Sequence, residues 1–196
     1  MDQLLTSLQS VIIAIKQNSL FVGKFIALLW IIHIINIIVH HKLNAFGIYP
    51  RHARGLVGIF CSPFLHGDFS HLLLNSVPLF VLANLILLKG RIAFYIITLI
   101  IILLSGLAVW LFAKRGIHIG ASSVIMGYFG FLLANAFHDF NVSTLILAIL
   151  CIYYFSGLIL LLIPGGKGIS WEGHIFGFLS GIAAVFAYPL VMNIIR

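Results

Sequence analysis

Four side chains in this sequence have types and settings that would allow acyl chemistry: Ser122, His174, His71 and Asn75. Each lies near the start of a long apolar run, where polar groups are costly in a bilayer and need named partners. A serine hydroxyl is a weak nucleophile until an adjacent base takes its proton. His174 is the candidate base, because an imidazole with an ordinary pKa near 6.5 suits acid–base work at neutral pH. The tetrahedral intermediate of peptide cleavage also needs donors for its oxyanion, and losing one donor costs about 10²- to 10³-fold in rate. His71 and Asn75, neighbours one helical turn apart on one face, and the Ser122 backbone N–H are candidates for that task. Glu172 is two residues from His174 and faces elsewhere on a helix, so the expected unit is a Ser–His dyad rather than a triad.

The elements that must position these groups follow from composition. The chain has 196 residues, of which 62% are hydrophobic and 8% charged, with a mean hydropathy of +1.20, against about a quarter charged in a soluble domain. Apolar runs at 20–41, 71–88, 92–113, 121–137, 143–163 and 171–195 are expected to form six transmembrane helices, since about 20 residues cross the hydrocarbon core. The expected fold class is therefore an all-α membrane protein. No polar stretch is long enough for a separate soluble domain. Residues 20–196 are read as one membrane domain, preceded over 1–19 by an amphipathic segment on the bilayer surface. Its apolar stripe is Leu4, Leu5, Leu8, Val11, Ile12 and Ile15. The first residues show no charged start and cleavage site of a secretory signal, so insertion is expected to rely on the helices. The connection over 42–68 exceeds ordinary loop length, which points to a functional or partly embedded segment.

The net charge of +7 is scattered at run ends, as membrane-interface anchors are, and not clustered as a nucleic-acid footprint would be. Five Lys and Arg residues fall on the N-terminal side (Lys16, Lys24, Lys89, Arg91, Arg196). Six fall opposite (Lys42, Arg51, Arg54, Lys114, Arg115, Lys167), so charge does not set the orientation. Cys61 and Cys151 are expected at different depths and are poorly placed to form a disulfide.

With six spans, the starts of the second, fourth and sixth runs share one leaflet. Small residues recur at Ser123, Gly127, Gly130 and Ala134, and again at Gly173, Gly177, Gly181 and Ala184. Such stripes let two helices approach closely, which would bring hydroxyl and imidazole within reach. The fourth run is short, so Ser122 is expected below the membrane surface, at the end of a loop that dips inward. Irregular backbone at that depth is tolerated only when buried in protein or lining a water-filled cavity.

At these residues the chain resembles the rhomboid family. The family's two histidines followed by asparagine correspond to His66, His71 and Asn75, and its serine motif to Gly120, Ala121 and Ser122. Its sixth-helix histidine with spaced glycines corresponds to His174, Gly177 and Gly181. The resemblance spans roughly residues 48–185. It implies a rhomboid-like bundle of six helices with Ser122 as nucleophile, His174 as general base, and His71 and Asn75 on the oxyanion. It also implies single-pass transmembrane proteins as substrates and no metal or cofactor. The N-terminus would lie in the cytoplasm and the active site toward the outside, in a bacterial inner membrane. Ser123 stands where the family usually has glycine, and Met126 where many members carry an aromatic. The Trp-Arg pair common in the first loop is absent, with Pro50-Arg51 nearby.

Simpler readings stand beside these. A single His71 or Asn75 is often interhelical hydrogen-bond glue, and a single Ser122 is often a packing residue. His66 could simply hold the long connection, with Gly120, Gly177 and Gly181 acting as packing positions. His40 and His41 are adjacent and diverge on a helix, so interface placement is favoured over a metal site; His33, His52, His118 and His138 are read as structural. Two other functions compete with proteolysis: a catalytically inactive rhomboid-like protein that binds membrane clients, and a proton-coupled transporter using His71 and His174 as a relay.

Overall fold

Backbone polar groups cannot be left open in hydrocarbon, so a chain this apolar must satisfy them within helices. The computed structural model describes residues 2–163 and 170–195, without the side chains of residues 2–8, 10, 11 and 14. Lys167 lies outside the described residues, as do the side chains of most of the stripe begun by Leu4. Eight α-helices are described: α1 (Asp2–Ile38), α2 (Gly58–Cys61), α3 (Phe69–Leu87), α4 (Arg91–Phe112), α5 (Ser122–His138), α6 (Val142–Phe155), α7 (Gly157–Leu160) and α8 (Trp171–Ile195). Four segments are long and apolar enough to cross a membrane: Ile15–Ile38, Phe69–Leu87, Arg91–Phe112 and Trp171–Ile195. Helices α5 and α6 are shorter, at 17 and 14 residues.

Three boundaries differ from expectation. Helix α1 runs unbroken through residue 19, where the Ser19 hydroxyl donates to the Ile15 carbonyl at 2.6 Å and no proline interrupts the ladder. It ends at Ile38 rather than 41, because His40 and His41 take left-handed backbone angles (φ 54° and 59°) that cannot continue a right-handed helix. The run at 143–163 is not one helix. It is interrupted at Ser156-Gly157 and tightens into i→i+3 bonding, with Ile159 N–H donating to Ser156 O at 2.9 Å.

Helix α5 is the axis of the bundle. Val124 through Leu132 are all buried, with Phe129 and Phe131 at 0% exposure. Its most extensive partner is α8, and glycine makes that contact possible. A Cβ on Gly177 would collide with the backbone of Ser123, one on Gly181 with the Gly127 carbonyl, and one on Gly130 with the Phe178 carbonyl. The two helices thus touch backbone to backbone, as the small-residue stripes require.

The long connection is indeed packed against the bundle. Short 3₁₀ turns at Lys42–Phe46, Ala53–Leu56 and Ser62–Phe64 flank α2. Ile48 and His118 exchange backbone hydrogen bonds at 3.0 and 2.9 Å, tying the connection to the loop before α5. Arg51 donates through Nη1 to the Leu111 and Ala113 carbonyls at 3.0 and 2.9 Å, satisfying acceptors at the C-terminal end of α4. At the other end of the bundle, Lys89 pairs with Asp139 at 3.6 Å.

Candidate active site

Ser122 is delivered by a turn that only glycine can make. Gly120 has φ +118°, and a Cβ there would lie 2.7 Å from Nε2 of His71. The Gly120 N–H donates to the Ser62 carbonyl at 2.9 Å, Ala121 caps the helix, and Ser122 is the first residue of α5. The Ser122 hydroxyl is half-buried and makes no hydrogen bond among the described residues. Its position at the N-terminal end of α5 puts it beside backbone N–H groups that have no intrahelical partner.

Helix α3 brings its two polar residues to the same turn. Asp68 caps it by accepting the His71 N–H at 2.8 Å. His71 abuts Gly120, and the Asn75 amide nitrogen lies 3.7 Å from the point where a Gly120 Cβ would be. That amide is buried without a hydrogen-bond partner among the described residues. A buried donor left unpaired is costly, and this one lies beside the turn that carries Ser122.

His174 sits in the first turn of α8, one turn before Gly177, which packs on the backbone of Ser123. Its Nδ1 is 3.1 Å from the Leu161 carbonyl. A carbonyl only accepts, so Nδ1 carries the proton and Nε2 keeps its lone pair. Leu161 O thereby orients the imidazole in the tautomer a general base needs, the task an aspartate performs in a triad. No direct hydrogen bond joins Ser122 to His174; such contacts are often long in unliganded sites. Glu172 is buried at the same end of α8, with Oε1 unpaired among the described residues.

His66 is fully buried, stacks edge-on to His71 at 5.1 Å, and accepts the Ala121 N–H through Nε2 at 3.4 Å. Burial, followed by the neighbouring His71 and His33, pushes its pKa down to about 3, with the Phe64 carbonyl and Asp68 opposing. It is therefore a neutral acceptor holding the turn before the serine.

A small cavity beside Ser122, with about 30 Å³ of space for water centres, is lined by Ser62, His118, Gly120, Ser123, Ser170 and Gly173 among others. A site needs about 10–15 Å³ by that measure to hold one water. On the far side of the turn, Ala121 and Val124 border an apolar cavity of about 180 Å³ with Phe25, Phe64 and Ile102.

The structure thus brings His66, His71, Asn75, Gly120 and Ser122 together, with His174 on the adjoining helix. Sequence reasoning did not single out Ser62 or Ser170, and it read His118 only as structural. His118 donates from Nε2 to the Lys114 carbonyl at 2.9 Å, so its Nδ1 accepts from the Ser170 hydroxyl at 2.7 Å, fastening the start of α8 to the loop before α5. The one available signal was the position of Ser170 just ahead of the sixth run.

Comparison with known proteins agrees with this arrangement at the level of family. A model described as the Rhomboid domain matches residues 53–190, more than half of the chain. This chain belongs to the rhomboid family. It is 33% identical over 171 residues to an uncharacterized protein of Mycobacterium bovis, covering 83% of this chain and 71% of that one. An uncharacterized protein of Mycobacterium leprae is similar to the same extent, covering 83% and 68%. A putative rhomboid protein of Acanthamoeba polyphaga mimivirus is 30% identical over 134 residues, covering 65% of this rhomboid and 72% of the viral protein. Family membership together with the four long apolar helices identifies an integral membrane protein.

Proposed function

We propose that this rhomboid is an intramembrane serine endopeptidase that cleaves single-pass transmembrane proteins within or near the bilayer. Ser122 Oγ attacks the scissile carbonyl carbon as His174 Nε2 takes its proton. His71, Asn75 and the Ser122 N–H receive the oxyanion. Collapse of the intermediate expels the amine, which takes the proton back from His174, and leaves an acyl-enzyme on Ser122. A water deprotonated by His174 then attacks the acyl carbon, and collapse of the resulting intermediate expels Ser122 Oγ, which takes that proton back as the acid product leaves. No cofactor takes part.

The observation that carries the reading is the contact of Gly177 with the Ser123 backbone. It puts the turn bearing His174 against the turn bearing Ser122, while the bond to Leu161 leaves Nε2 of His174 free to act as base.

Six spans fit best, with α6 and α7 counted together as the fifth. A 17-residue helix is about 26 Å long, short of a core about 30 Å thick, so Ser122 lies below one surface when His138 is at the other. The family resemblance supports a cytoplasmic N-terminus and an outward-facing site. The mycobacterial relatives support a bacterial cell membrane.

The test is reconstitution in liposomes with a single-pass substrate and a fluorophosphonate probe. Wild-type protein should cleave and label, and Ser122→Ala should do neither. Undiminished cleavage by Ser122→Ala would reject the proposal. The missing Ser122–His174 hydrogen bond leaves one competitor, an inactive client-binding rhomboid, and absence of labelling in the wild type would favour it.

A further inference from the structure

On the far side of the serine turn, α1, α3, α4 and α5 surround the apolar cavity of about 180 Å³ that Ala121 and Val124 border. Tyr95, Thr98 and Ile102 line it from one stripe of α4, and Ala121, Val124 and Tyr128 from one stripe of α5 and its cap. From Ala121 to Tyr128 the helix rises about 10 Å, so the slot leads from the serine turn toward the other end of the bundle. The two hydroxyls in its wall are satisfied within the protein. Thr98 donates to the Phe94 carbonyl at 2.6 Å, so the Tyr128 hydroxyl, 2.7 Å away, donates to Thr98. A water in the slot would find too few polar partners, and an apolar space of ~150 Å³ elsewhere stays dry and takes up benzene. Left empty, the slot deprives its walls of packing contacts.

The outer edge of the cavity faces lipid. Phe25 and Tyr95 line it and are 38% and 54% exposed, and both lie in segments long and apolar enough to cross the bilayer. Helix α1 packs chiefly on α3. It meets α4 through aromatic rings, with Phe21 edge-on to Phe94 at 5.9 Å and to Tyr95 at 6.2 Å. Over the same Phe21 ring, 5.5 Å from its centroid, lies the guanidinium of Arg91, the first residue of α4. The one ion pair among the described residues joins Lys89 to Asp139 and does not involve Arg91. A cation thus stands at the interfacial end of α4, one turn from Tyr95 and a slot that suits hydrocarbon and not water.

We propose that this cavity is the binding site of an anionic phospholipid, with one acyl chain inserted between α1 and α4 and its phosphate on Arg91. The dry interior selects the chain, and the interfacial guanidinium selects the anion. A phospholipid without net charge offers the same chain with weaker attraction to Arg91. The inserted chain packs on Ala121 and Val124, which flank Ser122 in sequence, and so fills the space against the serine turn. The site does not depend on Ser122 being a nucleophile, because lipid labelling and not cleavage reports it.

The experiment uses full-length protein in phosphatidylcholine vesicles containing a trace of phosphatidylglycerol with a photoreactive diazirine near the end of one acyl chain. After illumination, the labelled peptides are mapped by mass spectrometry. Ala121, Val124 and Tyr128 are buried, so lipid that only surrounds the bundle does not reach them. Label within residues 121–128 is the expected result. Arg91→Gln should lower it about fivefold, the scale of one basic side chain at a lipid surface. Ala83→Phe, which fills the slot from α3, should abolish it while the exposed Leu74 and Val77 stay labelled. Wild-type label confined to exposed positions would overturn the proposal without any variant having to fold. So would equal labelling by a phosphatidylcholine probe with the same chain, or label on 121–128 that survives Ala83→Phe. Loss of that label on adding a single-pass substrate would give the cavity to the substrate and overturn the lipid assignment.

Discussion

Helices α5 and α6 are neighbours in sequence, joined by a short turn that Asn141 caps by accepting the Thr144 N–H at 3.0 Å, yet they are built to opposite rules. Helix α5 is buried around almost its whole circumference and meets α8 through glycines, backbone against backbone. Helix α6 buries only Ala148 and Cys151 and turns Ile149, Ile152, Tyr153 and Tyr154 outward. Both sequences are strongly apolar, so hydropathy does not separate them. What separates them is the small residues: Gly127 and Gly130 let α5 be enclosed, whereas the bulky face of α6 keeps it at the periphery. Ser122, the proposed nucleophile, stands on the enclosed helix. Precise placement of a reacting group needs a rigid support, and the α5–α8 seam supplies one.

The largest effect is expected in that seam. Gly181→Val puts a branched side chain where even a Cβ collides with the Gly127 carbonyl. No rotamer relieves a collision with backbone, so the helices must separate. The loss should exceed the 1–3 kcal/mol typical of core overpacking, about 3 kcal/mol or more, and peptide cleavage should vanish with it. Thermal unfolding in detergent and substrate cleavage in liposomes report the two effects. A Gly181→Val protein of wild-type stability would mean that the seam is not the rigid element.

Much of this seam was legible from the sequence, because close helix packing in lipid depends on residue size and the spacing of Gly177, Gly181, Gly127 and Gly130 is visible in one dimension. Helix parity led only to the expectation that the runs carrying His71 and Ser122 start in one leaflet; the contact of His71 with Gly120 was not visible in it. Other features had no linear signal. The Leu161 carbonyl that orients His174 is a backbone group, which every residue carries. The Ser62 carbonyl holding Gly120 and the His118–Ser170 bond arise only once distant segments are brought together. The end of α1 at Ile38 was hidden because His40 and His41 are not among the usual helix breakers, and the interruption at Ser156 because one glycine in an apolar run is commonly tolerated.

A smaller effect should separate the seam from the loop beside it. His66 has a folded-state pKa of about 3 against an ordinary 6.5, so between those values the unfolded chain binds the additional proton. Stability then rises with pH in that window and falls on acidification below pH 6.5, by up to about 1.4 kcal/mol per pH unit. Unfolding measured between pH 6.5 and 5 should show this slope in the wild type and a shallower one in His66→Gln. An equal slope in both proteins would mean that the loop is not the acid-sensitive support of the serine turn.

The smallest effect is expected on α6. Tyr153 and Tyr154 stack on one another at 5.0 Å with rings at 89° and are 76% and 71% exposed, so truncating Tyr153 removes contact with lipid and one neighbour rather than core packing. Tyr153→Ala should change stability by no more than about 0.5 kcal/mol, the usual range for surface positions. With few buried contacts, α6 should also open locally at lower free energy than α5, and its amides should exchange with deuterium first. If α6 amides outlast those of α5, or Tyr153→Ala costs as much as Gly181→Val, the division into a fixed seam and a loosely held neighbour is wrong. If α6 does exchange first, the helix that follows the proposed nucleophile's is held more loosely than α5, and its displacement is a less costly way than parting the α5–α8 seam for the proposed substrate to reach Ser122.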